Sequence, residues 1–189
     1  MRSAENIKYI LERRSFQDFL NALGGKVDLK EYSEVGGMVK IIKALMSIYD
    51  FSNIIDVGCG KRPTLATYMA YNYSAPVFAI DPKVDTNLCL DTNSLYLFDM
   101  KLSEFINERY SFKYGTTLIL CNHSHATKEE IEDLTNKMNN WVYLTMPCCI
   151  DNILNRPYVR FEDEHIWSPK NKIFLQDKNN SISTLSELQ

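Results

Sequence analysis

No stretch of this sequence stays apolar for the roughly 18 residues that a membrane span requires. Thr, Pro or Asp breaks each apolar run well before that length, and no charged-then-apolar leader opens the chain. A soluble, unsecreted, cytoplasmic protein is therefore expected, with no membrane partner. Basic charge is not in excess either: the net charge of −3 argues against a protein that holds nucleic acid mainly by unspecific phosphate contacts. The five cysteines have no framework spacing, and the neighbours Cys148 and Cys149 are poorly placed to bond each other, which fits a reducing compartment. No repeat and no linker divides the 189 residues, a length suited to one domain with a real core.

What the sequence does contain is a β-prone run, Ile54-Ile-Asp56-Val57, that leads into Gly58-Cys59-Gly60 with a helical pattern behind it. A strand that turns sharply into a helix brings bare backbone close to a ligand. About twenty residues later a second run, Val77-Phe-Ala-Ile80, ends in another acid, Asp81. Glycines that admit a ligand, followed by an acid that accepts hydrogen bonds from ribose hydroxyls, are how doubly wound α/β folds hold nucleoside-containing cofactors.

The rest of the chain agrees with such a fold. Residues 4–23 carry helical spacing at Ile7, Ile10 and Leu11, then at Phe16, Phe19, Leu20 and Leu23, and end at Gly24-Gly25. After Gly36-Gly37, an apolar face of Val39, Ile42, Leu45, Met46 and Tyr49 opposes Lys40, Lys43 and Ser47. Strands are predicted over Ile54–Val57, Val77–Ile80, Leu95–Phe98, Thr117–Cys121 and Trp141–Met146. Helices between them cover Thr64–Tyr73, the segment around Leu102, Phe105 and Ile106, and a stretch opened by the capping box Thr127-Lys-Glu-Glu130. This alternation predicts an α/β, doubly wound, mostly parallel sheet with helices on both faces, preceded by an N-terminal helical segment. One domain of 1–189 is expected, comprising N-terminal helices over 1–50 and a cofactor-binding core over 51–150. A sheet-closing antiparallel pair, Tyr158–Phe161 with Ile173–Leu175, falls within 151–178, and 179–189 reads as a loose polar tail.

Three nucleotide motifs compete for Gly58–Thr64. A P-loop needs four residues between its first glycine and a Gly-Lys-Ser/Thr, and Gly60-Lys61 is followed by Arg62. The dinucleotide fingerprint needs a third glycine where Pro63 stands. What remains, Asp56-Val-Gly-Cys-Gly60 with Asp81 after the second strand, resembles class I methyltransferases over residues 50–146. That resemblance implies S-adenosylmethionine as cofactor, held by Asp56, Gly58, Cys59, Gly60, Asp81, Pro82 and Asp99. Asp56 and the glycines line its methionine end, Asp81 takes the ribose hydroxyls, and Asp99, in competition with Asp91, lies near the adenine amino group.

In such folds the ligand meets the carboxyl ends of the strands. The segments there are Cys121-Asn-His-Ser-His125, with two of the three histidines, and Met146-Pro-Cys-Cys149. His123, Asn122 and His125 are the candidate catalytic residues, positioning an acceptor or taking its proton, and His123 or His125 is expected near Cys148. No metal is expected, because His-x-His with the cysteines lacks the paired spacing of a zinc module. A cysteine after the fifth strand also resembles RNA cytosine C-5 methyltransferases, whose Asp-Ala-Pro-Cys is absent.

The acceptor is read from shorter similarities. Asn122 stands where amino-methylating enzymes carry Asn/Asp-Pro-Pro-Tyr/Phe, and where ribose methyltransferases carry aspartate, so neither pattern is complete. Gly58-Cys-Gly-Lys61 and a histidine after the fourth strand resemble messenger-RNA cap guanine N-7 methyltransferases, and Pro147-Cys-Cys149 resembles certain tRNA methyltransferases. The terminal Ser186-Glu-Leu-Gln189 resembles a nidovirus main-protease cleavage site. Together these resemblances imply an RNA methyltransferase with RNA as partner; the cleavage-site likeness implies a viral one, acting in the host cytoplasm. The two diglycines around Lys26, Lys30, Lys40 and Lys43 predict a lid or acceptor groove over residues 24–43. The alternatives are an inactive, methyltransferase-like binding or regulatory module, and a small-molecule or protein methyltransferase.

Overall fold

The computed structural model describes residue 5 and residues 28–88, 92, 94–108, 112–148 and 152–181. The helical pattern of residues 6–23, Gly24-Gly25, Lys26, Asp91, Cys149 and the tail beyond residue 181 lie outside the described residues.

The long helix α1 (Leu29–Met46) starts well ahead of the apolar face that announced it. Asp28 caps it, its carboxylate accepting the backbone N–H groups of Lys30 and Glu31 at 2.9 and 3.2 Å, which would otherwise lack partners. Gly36 and Gly37 lie inside this helix and are buried. They are therefore not one of the two hinges expected to flank a lid; the other, Gly24-Gly25, lies outside the described residues. Glycine costs roughly 1 kcal/mol in a helix interior, but every residue from Tyr32 to Val39 is buried, and packing outweighs that cost.

Seven strands form one sheet in the order β3-β2-β1-β4-β5-β7-β6. They are β1 (Phe51–Val57), β2 (Val77–Ile80), β3 (Leu95–Phe98), β4 (Thr116–Asn122), β5 (Trp141–Met146), β6 (Val159–Glu162) and β7 (Lys172–Asp177). The first five run parallel, and β7 runs antiparallel between β5 and β6. The predicted closing pair is therefore real and extends the sheet beyond β5.

Helices α2 (Thr64–Asn72), α3 (Leu102–Asn107) and α4 (Lys128–Asn136) complete the described elements. Alternation along the strands sends successive side chains to opposite faces. Ile54, Leu118, Leu120, Val142 and Leu144 pack under α1 and α2, while Ile55, Val57, Ile119, Cys121 and Tyr143 pack under α3 and α4. The doubly wound arrangement follows. At the start of α4 the predicted capping box is formed: Thr127 Oγ1 accepts the Glu130 N–H at 3.3 Å, and Glu130 Oε2 accepts the Thr127 N–H at 2.9 Å.

The segment after β5 is stitched to the sheet by side chains. Gln176 accepts the Leu154 N–H at 2.9 Å and donates to the Leu154 carbonyl at 3.0 Å, and Thr145 donates to Asn152 Oδ1 at 2.8 Å. Strand order reverses between β1 and β4, so their carboxyl ends part there and leave the crevice where such sheets bind ligands.

Candidate active site

Beyond Val57 the chain turns through Gly58 and Gly60, both with left-handed backbone, φ +70° and +74°. A Cβ on Gly58 would stand 2.5 Å from Ser124 Oγ and 2.9 Å from Ser124 Cα, so the loop is pressed against the turn after β4. At Gly60 a Cβ would meet nothing within 4 Å; this glycine fronts open space.

Helix α2 starts after Pro63, which supplies no side-chain cap. Asp56 replaces it from the strand: its Oδ2 accepts the Ala66 N–H at 3.1 Å. Only 2% exposed, Asp56 braces the loop from beneath. Burial pushes its carboxyl up to about 7 against the lowering effect of that amide, with Asp81 and Glu31 adding to the rise. Burial, Asp56 and Asp81 likewise drive the Cys59 thiol above its ordinary range, so it carries little thiolate.

Asp81 is the acid of the loop that faces outward. Its Oδ2 accepts the Gly60 N–H at 3.0 Å and its Oδ1 the Lys83 N–H at 2.8 Å. A carboxylate offers about four lone-pair positions, so it keeps capacity for further donors. It borders a slot of about 230 Å³ whose apolar wall is Val57, Ile80, Pro82, Met100, Leu102 and Ala126, with His125 also lining it. Asp99 is exposed at the end of β3; its neighbours Met100 and Lys101 reach the slot.

The two candidate histidines part company after β4. His125 is exposed and belongs to the slot, whereas His123 turns toward α1. Ser124, buried between them, accepts the Ala126 N–H at 3.1 Å. His123 has φ +56°, a conformation uncommon for a residue with a side chain. Its Nε2 stands 2.9 Å from Glu34 Oε1. That approach is short but does not meet the geometry of an aligned hydrogen bond, and it is an ion pair only when the ring is protonated. The Cys148 thiol reaches the His123 carbonyl at 3.6 Å, which places the ends of β4 and β5 together as expected.

Glu34 is 4% exposed and also lies 3.3 Å from Lys30 Nζ. Burial raises its pKa, but His123, Lys30 and the Ser168 hydroxyl outweigh burial and hold the carboxyl below its ordinary value. Burial pushes the nearby Glu31 above its ordinary value despite a hydrogen bond from Thr64. Asn122 Oδ1 and His123 Nδ1 are buried and have no hydrogen-bond partner among the described residues. Among those residues, no group of three or more His, Cys, Asp or Glu side chains is arranged to hold a metal ion.

Sequence reasoning missed Glu34. Its signal is faint: an acid between Ser33 and Val35, visible as buried only once the helix is known to begin at Asp28. Of the lysines expected to line an acceptor groove, two meet acids, and Lys26 lies outside the described residues. Lys30 pairs with Glu34 and Lys40 approaches Asp163 at 3.7 Å.

No family model and no curated protein matches this sequence. Solved structures do. A point mutant of MtNAS in complex with S-adenosylmethionine aligns with TM-score 0.55 and 13% identity, over 92% of this chain and 70% of that one. MtNAS in complex with MTA and tNA gives TM-score 0.55 and 12% identity, over 91% and 68%. The magnesium protoporphyrin IX methyltransferase ChlM from Synechocystis PCC 6803, with bound SAM, gives 0.48 and 13%, over 92% and 96%. At such identities the likeness speaks for the fold. The chain has the class I methyltransferase fold, and its own strand order, glycine turn and second-strand acid agree with that assignment.

Proposed function

We propose that this protein is an S-adenosylmethionine-dependent methyltransferase whose acceptor is a small molecule. The observation that carries the first part is Asp81: anchored by two backbone N–H groups beside an apolar slot, it keeps lone pairs for two ribose hydroxyls. The slot's walls suit an adenine ring, and at roughly 230 Å³ it is smaller than the ~300–1,000 Å³ of whole-ligand pockets, enough for the nucleoside end. Open backbone at Gly60 leaves the methionine end unobstructed. When bound, the cofactor supplies an electrophilic methyl on a sulfonium. This chain's part is to hold and orient it, and to present Asn122 and His123 to the acceptor.

RNA, the acceptor implied by the short resemblances, would lean on Lys26, Lys30, Lys40 and Lys43. Two of these are paired with acids, and the corner beside His123 is walled by Glu31 and Glu34, which a phosphate backbone would not favour. The comparisons lend no support to a cap-specific or viral acceptor. These observations favour a small acceptor.

Calorimetry with S-adenosylhomocysteine tests the reading. Micromolar binding to the wild type is expected, weakened about 100-fold or more in Asp81→Ala, roughly the loss of two hydrogen bonds to a charged group. No binding at high micromolar concentration would overturn both the enzyme and a cofactor-sensing module. A radiolabelled methyl-transfer panel of capped RNA, tRNA, peptides and small metabolites then reads the acceptor; transfer confined to RNA would overturn the small-molecule reading.

A further inference from the structure

The corner between α1 and the end of β4 has features that the slot does not explain. In β4, Leu118 and Leu120 face α1 and α2, so alternation carries Asn122 to that same side. The left-handed turn at His123 breaks the alternation and keeps the next side chain there too, where its ring meets Glu34. Consecutive residues thus present polar groups to one side of the sheet. Strain of this kind persists only where the surroundings impose it, and it gathers at functional sites.

The chemistry of these polar atoms is one-sided. Nε2 of His123 faces a carboxylate, which accepts a proton bond and cannot donate one when ionised. The favoured neutral tautomer therefore carries its hydrogen on Nε2 and leaves Nδ1 as a bare acceptor. Nδ1 and Asn122 Oδ1 are both buried and unpartnered among the described residues. A short but misaligned histidine contact is common in unliganded sites and tightens when the substrate arrives.

We propose that Glu34 is a positioning residue that fixes His123 as a base, and that the acceptor this pair serves is a primary amine. The inference rests on the methyltransferase reading above. A neutral amine has two N–H groups, one for Asn122 Oδ1 and one for His123 Nδ1, and a lone pair left for the incoming methyl. In the transfer, the nitrogen lone pair forms the new N–C bond while the methyl–sulfur bond of the sulfonium donor breaks and its electron pair stays on sulfur. The cationic nitrogen then loses one N–H proton to Nδ1, its bonding pair remaining on nitrogen. The imidazolium so formed faces Glu34, whose charge stabilises it; Lys30, Glu31, the Ser168 hydroxyl and the Cys148 thiol are the other ionisable or polar groups around the pair, and Arg62 faces Glu31.

The first test is spectroscopic and needs no substrate: ¹⁵N imidazole shifts of His123 in the wild type and in Glu34→Gln, both with S-adenosylhomocysteine bound. The neutral wild-type ring is expected with its proton on Nε2 and the variant with a mixture of tautomers. A wild-type ring protonated on Nδ1, or the same tautomer in both proteins, overturns the positioning role, and the wild-type result stands even if the variant fails to fold. The second test offers small primary amines, with matched alcohols and carboxylates, in the presence of radiolabelled S-adenosylmethionine. Transfer to amines is expected, with kcat lowered roughly 100-fold in His123→Ala, the size of one general base, and less in Glu34→Gln. Transfer only to alcohols or carboxylates overturns the amine. Calorimetry separates this proposal from the reading beneath it. Wild type that fails to bind S-adenosylhomocysteine sinks that reading. Glu34→Gln that weakens S-adenosylhomocysteine while sparing methylthioadenosine, which lacks the amino-acid end, assigns the corner to the cofactor's own ammonium and overturns the acceptor site.

Discussion

The two flanks of the glycine loop are built by opposite means. On the slot side, apolar side chains from two strand ends and the turns that follow the parallel strands make the walls, and an anchored carboxylate stands among the polar groups of the rim. On the α1 side, ionisable groups from a helix and from a strained strand end meet in a buried corner. The slot follows from strand order alone, since any sheet that reverses order at β1 and β4 opens a crevice there. The corner depends on where one helix happens to lie, and its parts acquire meaning only through each other. On the proposed function, nucleoside recognition would belong to the fold, and the choice of acceptor to details laid over it.

The largest expected effect that would break this contrast concerns Asp56, beneath both flanks. With its carboxyl raised to about 7 in the folded protein, against an ordinary value of 3.8, the folded state holds the proton more tightly than the unfolded chain. Its stabilisation is full below about pH 4 and fades as pH rises through about 7. The unfolding free energy of the wild type, from urea titrations, should therefore fall across this window relative to Asp56→Asn, which keeps an oxygen for the Ala66 amide, by a few kcal/mol and about 4 at most. Parallel profiles for the two proteins would mean that the carboxyl is ionised in place.

A smaller effect separates the two glycines. Gly58→Ala must displace Ser124 and hold a left-handed backbone, a cost of about 3 kcal/mol in thermal unfolding. Gly60→Ala meets no neighbour, so only the backbone term of about 1 kcal/mol remains, and its loss should appear in S-adenosylhomocysteine affinity. Equal stabilities would show that the contact with the β4 turn is not what makes Gly58 necessary. The smallest effect lies on the α1 side. Ser33→Ala removes the oxygen that accepts the Trp167 N–H at 2.8 Å and should cost about 1 kcal/mol. A change in nucleoside binding in that variant would refute the independence of the two flanks.

Legibility in the sequence divides along the same line. The five parallel strands, the closing pair and the Thr127 capping box could all be read, because a period of two and a polar–apolar switch are local signals. Asp81 and the glycines could be read because their spacing carries a mechanism. Asp56 was legible as part of a motif but not as a remote cap, since nothing local says that Pro63 leaves the α2 amides unserved. Two further features were hidden for physical reasons. Gly36-Gly37 resembles a break until burial on every side of the helix is known, and Glu34 resembles a surface acid until His123, eighty-nine positions later in the chain, is folded against it.

The ties of α1 to the β6–β7 turn, Ser33 to Trp167 across 134 positions and Lys40 to Asp163, bear on the order in which the molecule is made. Contacts of such separation are entropically late. A chain emerging from the ribosome can close the slot, whose lining spans Val57 to Glu130, while α1 still waits for the segment that fastens it. The slot can thus be complete before the acid–histidine corner is fastened, so the two flanks of the glycine loop would be finished in sequence rather than together.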